Sequence, residues 1–435
     1  MVSAPSNRVV ITGLGVVSPL GNDPDQLVQS LREGRSGIRA LDQVPSGVLS
    51  VDHGAQAWDF SGNISDYGPL EKKLQRTIKK GSKVMCREIE MGVAVAQLAL
   101  VDAGLDSAQR DPERTGVVYG CDYIMSLPQE FAAGIEKCLE DGTFDFEKWG
   151  QHGKPEVNPL WLLKYLPNMP ASHVAIYNDL RGPNNSITLR EASPGAAMAE
   201  AYSTISRGHA DVLIVGSTGS RIHPLRSLHA DMQETLASKC DDPTTMSRPF
   251  DASRDGSVLG EGAGAIVCET LDHAESRGAT ILGEIVGYGS SAVGGTKPEH
   301  LRIAIANALR AVTRETKLDK IGHLHAHGLG TPESDRQESA AIESVFGPAS
   351  DQPPTTTAKG HFGNLGAGGG MVETIASLKS LGDRLFPIRG LERSADDCPI
   401  NAVTTDDVPA GQEFINVNVT PQGQASAIRI RSWAQ

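Results

Sequence analysis

A chain of 435 residues with 39% hydrophobic residues is long enough for one large domain, or for two similar halves, around a substantial core. Its formal net charge of -13 argues against sequence-independent nucleic-acid binding. Aromatic residues are only 5%, so the core must rest on Ala, Val, Leu and Ile, and 47 glycines announce many tight turns and close backbone approaches.

The six cysteines, Cys86, Cys121, Cys138, Cys240, Cys268 and Cys398, are scattered and never at CxxC spacing, as expected of reduced thiols in a cytoplasmic protein. Residues 1–7 are polar and run straight into an apolar strand, which predicts no signal peptide. No apolar run reaches the roughly 18 residues of a membrane helix, so no membrane span is expected.

In chain order, residues 8–17 (RVVITGLGVV) read as a buried strand with a glycine turn. Residues 71–87 (EKKLQRTIKKGSKVMCR) hold Lys72, Lys73, Arg76, Lys79, Lys80, Lys83 and Arg87, a basic patch in an acidic protein; a solvated helix face and a docking surface both accommodate it. Residues 88–104 have helical periodicity and close on a glycine. Residues 115–120 (TGVVYG) form a second apolar strand. The stretch 122–159 is polar and mixed and reads as an insertion over the core, after which 160–167 (LWLLKYLP) returns to apolar character.

Residues 185–189 read as a strand, Ser193 and Pro194 as an N-cap and a first helical residue, and 195–207 (GAAMAEAYSTISR) as a small-residue helix closed by Gly208. A buried strand follows at 210–217 (ADVLIVGS). The same order recurs: a strand within 354–359, a turn at 360–370 (GHFGNLGAGGG), a helix at 371–381 and a strand at 414–419 (FINVNV). Residues 283–287 open this second set as 10–15 open the first. The recurrence predicts an internal duplication with halves 1–270 and 271–435, joined through the charged helical stretch 269–278, in layered α/β packing. His323, His325 and His327 alternate as on one strand face. Three imidazoles suggest zinc, but no Cys, Asp or Glu completes a ligand set, so no metal is expected.

Five ordered blocks carry a resemblance: VVITGLGVVSPLG (9–21), RGPNNSIT (181–188), SRPFDASRDGSVLGEGAGAIV (247–267), HAHGLGTPESD (325–335) and AKGHFGNLGAGGGMVE (358–373). Together they resemble the β-ketoacyl-acyl-carrier-protein synthase II family of thiolase-fold condensing enzymes over nearly the whole length. The resemblance implies an α/β, thiolase-like, five-layered α-β-α-β-α fold from two duplicated halves. It also implies a two-fold dimer whose interface contributes to the acyl tunnel, acyl carrier protein as partner, and no cofactor. In that family a cysteine at the start of a buried helix takes an acyl chain from the carrier protein, and two histidines support decarboxylation and carbon–carbon bond formation.

The departures from the family bear on function. Counting along RGPNNSITLREASPG places the family's cysteine on Glu191. Transacylation needs a thiolate at a strand-to-helix turn, where the helix start lowers the thiol pKa; a carboxylate forms at best a labile anhydride. The first family histidine is retained as His327. If Lys359 matches the family's lysine, the second histidine falls on Asn364 and the family's helix glutamate on Glu373, with His361 close by as the alternative. Thr420, in VTPQG (419–423), falls where the family's gating aromatic sits.

The expected catalytic group is therefore Glu191, His327, Asn364 and Lys359, and the expected substrate-binding residues are Thr420, Glu373 and Asp335. Glu191 should fill the cysteine's pocket and pair with His327 or Lys359; its plainer reading is a helix-start acid favoured by the dipole. The leading functional expectation is a non-condensing, chain-length-factor-like partner of an active ketosynthase in fatty-acid or polyketide biosynthesis, as a heterodimer or a homodimer. Lys72, Lys73, Arg76, Lys79, Lys80 and Lys83 would then dock the carrier protein. The alternative is a malonyl-carrier-protein decarboxylase, in which a protonated Glu191 mimics the glutamine of such relatives and His327 stabilises the enolate. Ordinary condensation through an unexpected nucleophile ranks last.

Overall fold

The computed structural model describes residues 7–41, 49–50, 52–295 and 297–433, so most of the polar start, residues 1–6, lies outside the described residues. Ten strands form one continuous sheet: β1 (Val9–Val17), β2 (Thr115–Cys121), β3 (Asn184–Thr188), β4 (Val212–Ser220), β5 (Glu261–Thr270), β6 (Gly283–Ala292), β7 (His323–His325), β8 (Thr355–Thr356), β9 (Glu413–Val419) and β10 (Gln424–Ser432). The helices that matter here are α1 (Lys72–Gly81), α2 (Arg87–Asp102), α3 (Ser193–Ser206), α4 (Glu299–Val312), α5 (Pro332–Phe346) and α6 (Gly369–Ser380).

The sheet order is β8-β7-β9-β10-β6-β1-β5-β4-β2-β3. β1 and β6 meet antiparallel at the centre, through Val9–Ile285, Val10–Glu284 and Ile11–Gly283. Outward from that seam each side repeats the other. β5 and β10 run antiparallel to the opening strand of their side, β4 and β9 antiparallel to those, and then come two parallel steps, β4 to β2 to β3 and β9 to β7 to β8.

β1 and β4 are buried along their whole length, which is why they read as continuous apolar runs rather than alternating ones. α2 lies directly on β1. A Cβ on Gly15 would sit 2.1 Å from the Val95 carbonyl oxygen and one on Gly13 2.4 Å from that of Ala99, so these two glycines set the approach. α3 and α6 pack on each other between the two halves of the sheet, α3 against β2, β4 and β10, α6 against β5 and β9. α2 covers one outer face, and α4, backed by α5, covers the other. The result is the thiolase-like α/β arrangement of five layers. The small residues of α3, with Ala197, Met198, Ala201 and Ile205 buried, and the nearly complete burial of α6 suit helices sandwiched on both sides.

Several local expectations change. β8 is two residues long because Lys359–Phe362 winds into a helical turn. The apolar stretch 160–167 does not enter the core: Leu160 and Leu162 are 53% and 49% exposed, while Trp161 and Tyr165 stack edge-on against Phe131. The 122–159 stretch consists of short helical turns and a small hairpin, with Leu139, Phe144 and Phe146 exposed. Among the described residues, no helix is long and apolar enough to cross a membrane.

Candidate active site

The turns that lead into the two central helices touch each other, and Glu191 and Asn364 lie at those turns. β3 enters α3 through the turn Arg190–Ala192, where Arg190 adopts φ 49°, a left-handed conformation that costs a non-glycine residue on the order of 1 kcal/mol or more. Ser193 fastens this turn: its hydroxyl donates to the Cys121 carbonyl (2.9 Å) and accepts from the Leu189 N–H (2.8 Å). It is therefore not the N-cap that the sequence suggests. It lies inside α3, with no side-chain cap on the helix, because its hydroxyl is used to tie the turn to the end of β2.

Glu191 is buried at this turn, 2% exposed. Its Oε1 accepts from Arg221 Nη1 at 2.6 Å and from Asn364 Nδ2 at 3.1 Å, and its Oε2 lies 3.5 Å from Arg190 Nε. The expected partners, His327 and Lys359, do not bond to it. The reason is Arg221, which leaves the end of β4 and arrives first. Glu234 bridges both arginines, at 2.8 Å to Arg190 and 2.6 Å to Arg221. Asp122 pairs with Arg226 at 2.5 Å and approaches Arg190 at 4.0 Å. Three carboxylates and three guanidiniums thus balance in one buried lattice. Burial alone would raise the Glu191 pKa, but Arg190 and Arg221 hold it down at about 2, so the group is ionised.

Asn364 is held in place by its own backbone, which pairs with Val258 and Gly260, and by its Oδ1, which accepts from the Gly366 N–H at 2.9 Å. His361 points elsewhere, its Nδ1 on the Arg35 carbonyl at 3.0 Å, so Asn364 and not His361 faces Glu191. His327 is buried just beyond β7, and its loop is pinned by Glu338, which accepts from the N–H groups of His327 (2.6 Å) and Gly328 (2.8 Å). Burial, then Lys359, pushes the His327 pKa down to about 3, which leaves a neutral imidazole whose Nδ1 has no hydrogen-bond partner among the described residues. His323 and His325 are engaged by the Ala410 carbonyl and the Ser377 hydroxyl.

Lys359 pairs with Glu373, which also accepts from Asn418 (2.8 Å) and Asn416 (3.3 Å). Asp335 accepts from the N–H groups of Phe250 (2.8 Å) and Gly330 (3.0 Å), shaping the loop after His327. Neither acid lines the nearby cavity of about 210 Å³. His327, Leu329, Thr420, Val419 and Glu234 do. From the cavity wall inward the contacts run Glu234, Arg221, Glu191. Thr420 sits in the tight turn between β9 and β10 and is itself buried. No cysteine lines this cavity; the Cys121 thiol packs in the core beneath α2, where burial raises its pKa.

The residues that sequence reading missed are Arg190, Arg221, Glu234 and Glu338. An arginine directly after the apolar run of β4 is the one signal that pointed to Arg221. Lys72, Lys73, Arg76, Lys79 and Lys80 on α1, and Lys83 in the turn Ser82–Val84 after it, are exposed and form no ion pair among the described residues. Arg87 departs from it, turning inward to Glu261 at 2.7 Å and to the carbonyls of Ala57 and Phe60.

Residues 6–274 match the beta-ketoacyl synthase N-terminal domain and residues 282–389 the C-terminal domain. The chain belongs to the beta-ketoacyl synthase family. It is similar to the 3-oxoacyl-[acyl-carrier-protein] synthase 2 of Synechocystis sp., 30% identical over 409 residues, covering 93% of this chain and 92% of that protein. The protein of the same name from Coxiella burnetii is 29% identical over 401 residues, 91% of each chain. Among solved structures, a Beta-ketoacyl synthase from Burkholderia phymatum superposes with TM-score 0.84 at 25% identity, covering 98% of this chain and 100% of that one. The ishigamide ketosynthase/chain length factor superposes with TM-score 0.82 at 24% identity, over 99% and 100%, a likeness of fold alone.

Proposed function

We propose that this protein is a non-condensing member of its family that acts, like a chain-length factor, as the partner of a cysteine-bearing ketosynthase. The carrying observation is the ionised, buried Glu191 clamped by Arg221 and Asn364 at the turn where the family's nucleophile would stand. A carboxylate in that place, with a guanidinium against it, holds no acyl group and leaves no room for one. The Glu191, His327, Asn364 and Lys359 set is on this reading a retained scaffold, with Thr420 on the wall of the remaining cavity.

The partner surface is supported by β3, a half-exposed edge strand, and by exposed apolar side chains between β2 and β3, Leu127, Phe146 and Leu160. The exposed lysines of α1 suit an acidic carrier protein, and six free thiols suit a cytoplasmic location. We take the halves to be 1–270 and 271–435, as the repeated strand order suggests. The decarboxylase reading needs a protonated Glu191, and a carboxyl held at about 2 is not protonated near neutrality.

Two measurements test the proposal. Incubation with acyl-loaded carrier protein should leave no covalent acyl label on the chain; a stable acyl-enzyme would sink it. Co-expression with a cysteine-bearing paralogue should yield a heterodimer by size-exclusion chromatography, and a persistently separate homodimer counts against it.

A further inference from the structure

Far along the chain from Glu191, one largely buried cation stands without a salt-bridge partner among the described residues. Arg110 follows the short turn Ser107–Gln109 beyond α2. Its guanidinium makes no ion pair among the described residues, and its Nη1 is buried with no hydrogen-bond partner. Burial lowers its pKa below the usual arginine value, although Asp106 and Asp179 push the other way. Neither acid forms an ion pair with it. Asp106 accepts from the N–H groups of Ala108 (2.7 Å) and Gln109 (3.1 Å), and Asp179 pairs with Arg181 at 2.9 Å. A desolvated cation without a partner costs free energy until an anion meets it.

Arg110 lines a cavity of about 710 Å³ between α1, α2 and the helix Met169–Asn178, inside the roughly 300–1,000 Å³ range of small-molecule sites. Its wall mixes polar and apolar side chains: Leu74 from α1 and Leu100 and Leu105 at the end of α2 give an aliphatic stretch, and Asp106 and Asp179 stand on the wall with Arg110. Its lip is apolar, with Val101 43% and Ile176 69% exposed. Deep in the same wall Gln97, 2% exposed, has an Nε2 with no partner. Lys73 stands on the wall as an exposed second cation, and Glu71 is the remaining acid there, also exposed. One unpaired guanidinium at the end of an aliphatic stretch matches a ligand with a single planar anionic head and an apolar tail.

We infer that this cavity binds an amphiphilic carboxylate, its head on Arg110 and its chain along Leu74, Leu100 and Ile176. The site is separate from the Glu191 lattice and does not depend on the function proposed for it. Calorimetric titration of the full chain with octanoate, octanol and octylammonium tests it. Octanoate should bind saturably, octanol at least tenfold more weakly, and octylammonium not at all. Arg110→Leu should bring octanoate down to the affinity of octanol, and Ile176→Asp, on the exposed lip, should weaken octanoate several-fold. The inference fails if octanoate shows no saturable binding, if octanol binds equally well, or if a folded Arg110→Leu keeps full octanoate affinity. Should Arg110→Leu not fold, the lip variant decides: unchanged octanoate binding overturns the site and a several-fold loss supports it.

Discussion

The two central helices begin with buried carboxylates that live in different surroundings. Glu373, in the first turns of α6, has one cation, Lys359, and two asparagine donors, all from the second side of the sheet. Glu191, at the start of α3, belongs to a lattice that reaches through Arg221 and Glu234 to a cavity wall and through Asp122 to the base of the 122–159 stretch. Both are pulled down to about 2, against burial, by neighbouring cations. The first pair is closed, since Glu373 has a single cation. The second is redundant, and on the function proposed above it stands where an acyl group would have to sit. Burial and pKa alone do not separate the two surroundings; the number of alternative partners does.

That difference orders the expected damage. Lys359→Met leaves Glu373 fully buried with no cation, and removal of one partner of such a pair costs roughly 3–5 kcal/mol. We expect a fall of that size in the free energy of urea unfolding, the largest of the set. Glu191→Ala removes one of three carboxylates, but Arg221 keeps Glu234 and Arg190 keeps Glu234 and Asp122, so the loss should be smaller, about 2 kcal/mol. Equal losses at the two positions would erase the distinction between a closed pair and a shared lattice.

Acid should sharpen the comparison in two stages. His325 and His327 are held neutral to about 3 and His323 to about 4, chiefly by burial. The unfolded chain protonates them near 6.5, so their contribution to stability is lost as pH falls from 6.5 toward those values. Glu191 and Glu373, depressed to about 2, add their own loss only below about 4.5, where unfolded carboxylates take up protons. Glu338, Glu88, Glu90 and Asp335, raised by burial to about 8, 7, 7 and 6, act with the opposite sign in the same window, so the imidazole contribution is read as the difference in urea midpoint between the unmodified protein and a histidine variant from pH 7 to 4. His327→Gln should flatten the upper stage and leave the lower one. The same pH dependence in the unmodified protein and in His327→Gln would show that this imidazole is not held neutral.

How much of this was legible in the sequence follows from what each feature depends on. The fully buried strands β1 and β4 were readable because strands buried on both faces leave long apolar runs, as at 8–17 and 210–217. Glu191, Asn364 and His327 were singled out because short ordered blocks fix their register, and the structure puts Asn364 on Glu191 where His327 or Lys359 was expected. The lattice was not readable. Arg221 and Glu234 come from segments remote from residue 191, and no local period ties an arginine after a strand to a glutamate thirty residues earlier. Ser193 failed as a cap for a related reason: its hydroxyl found Cys121, a partner 72 residues away, where local rules expect a helix N–H. The 160–167 run misled because apolar side chains that serve an exposed surface look the same in sequence as those of a core.

The smallest expected effect lies on α1, where the charge comparison is with Arg87. Arg87 is spent on Glu261 inside the fold, whereas Lys79 and Lys80 are exposed and unpaired among the described residues. Reversing both to Glu should leave folding within about 0.5 kcal/mol, since isolated surface charges contribute little. It should also weaken carrier-protein binding several-fold, mainly through association rate. The same change should reduce the salt dependence of that binding, because the exposed charges act over a distance that added salt screens. Surface plasmon resonance against carrier protein at two ionic strengths reads both effects. Unchanged affinity and an unchanged salt slope would return the α1 lysines to the role of a solvated face, which in an acidic chain needs no partner to explain it.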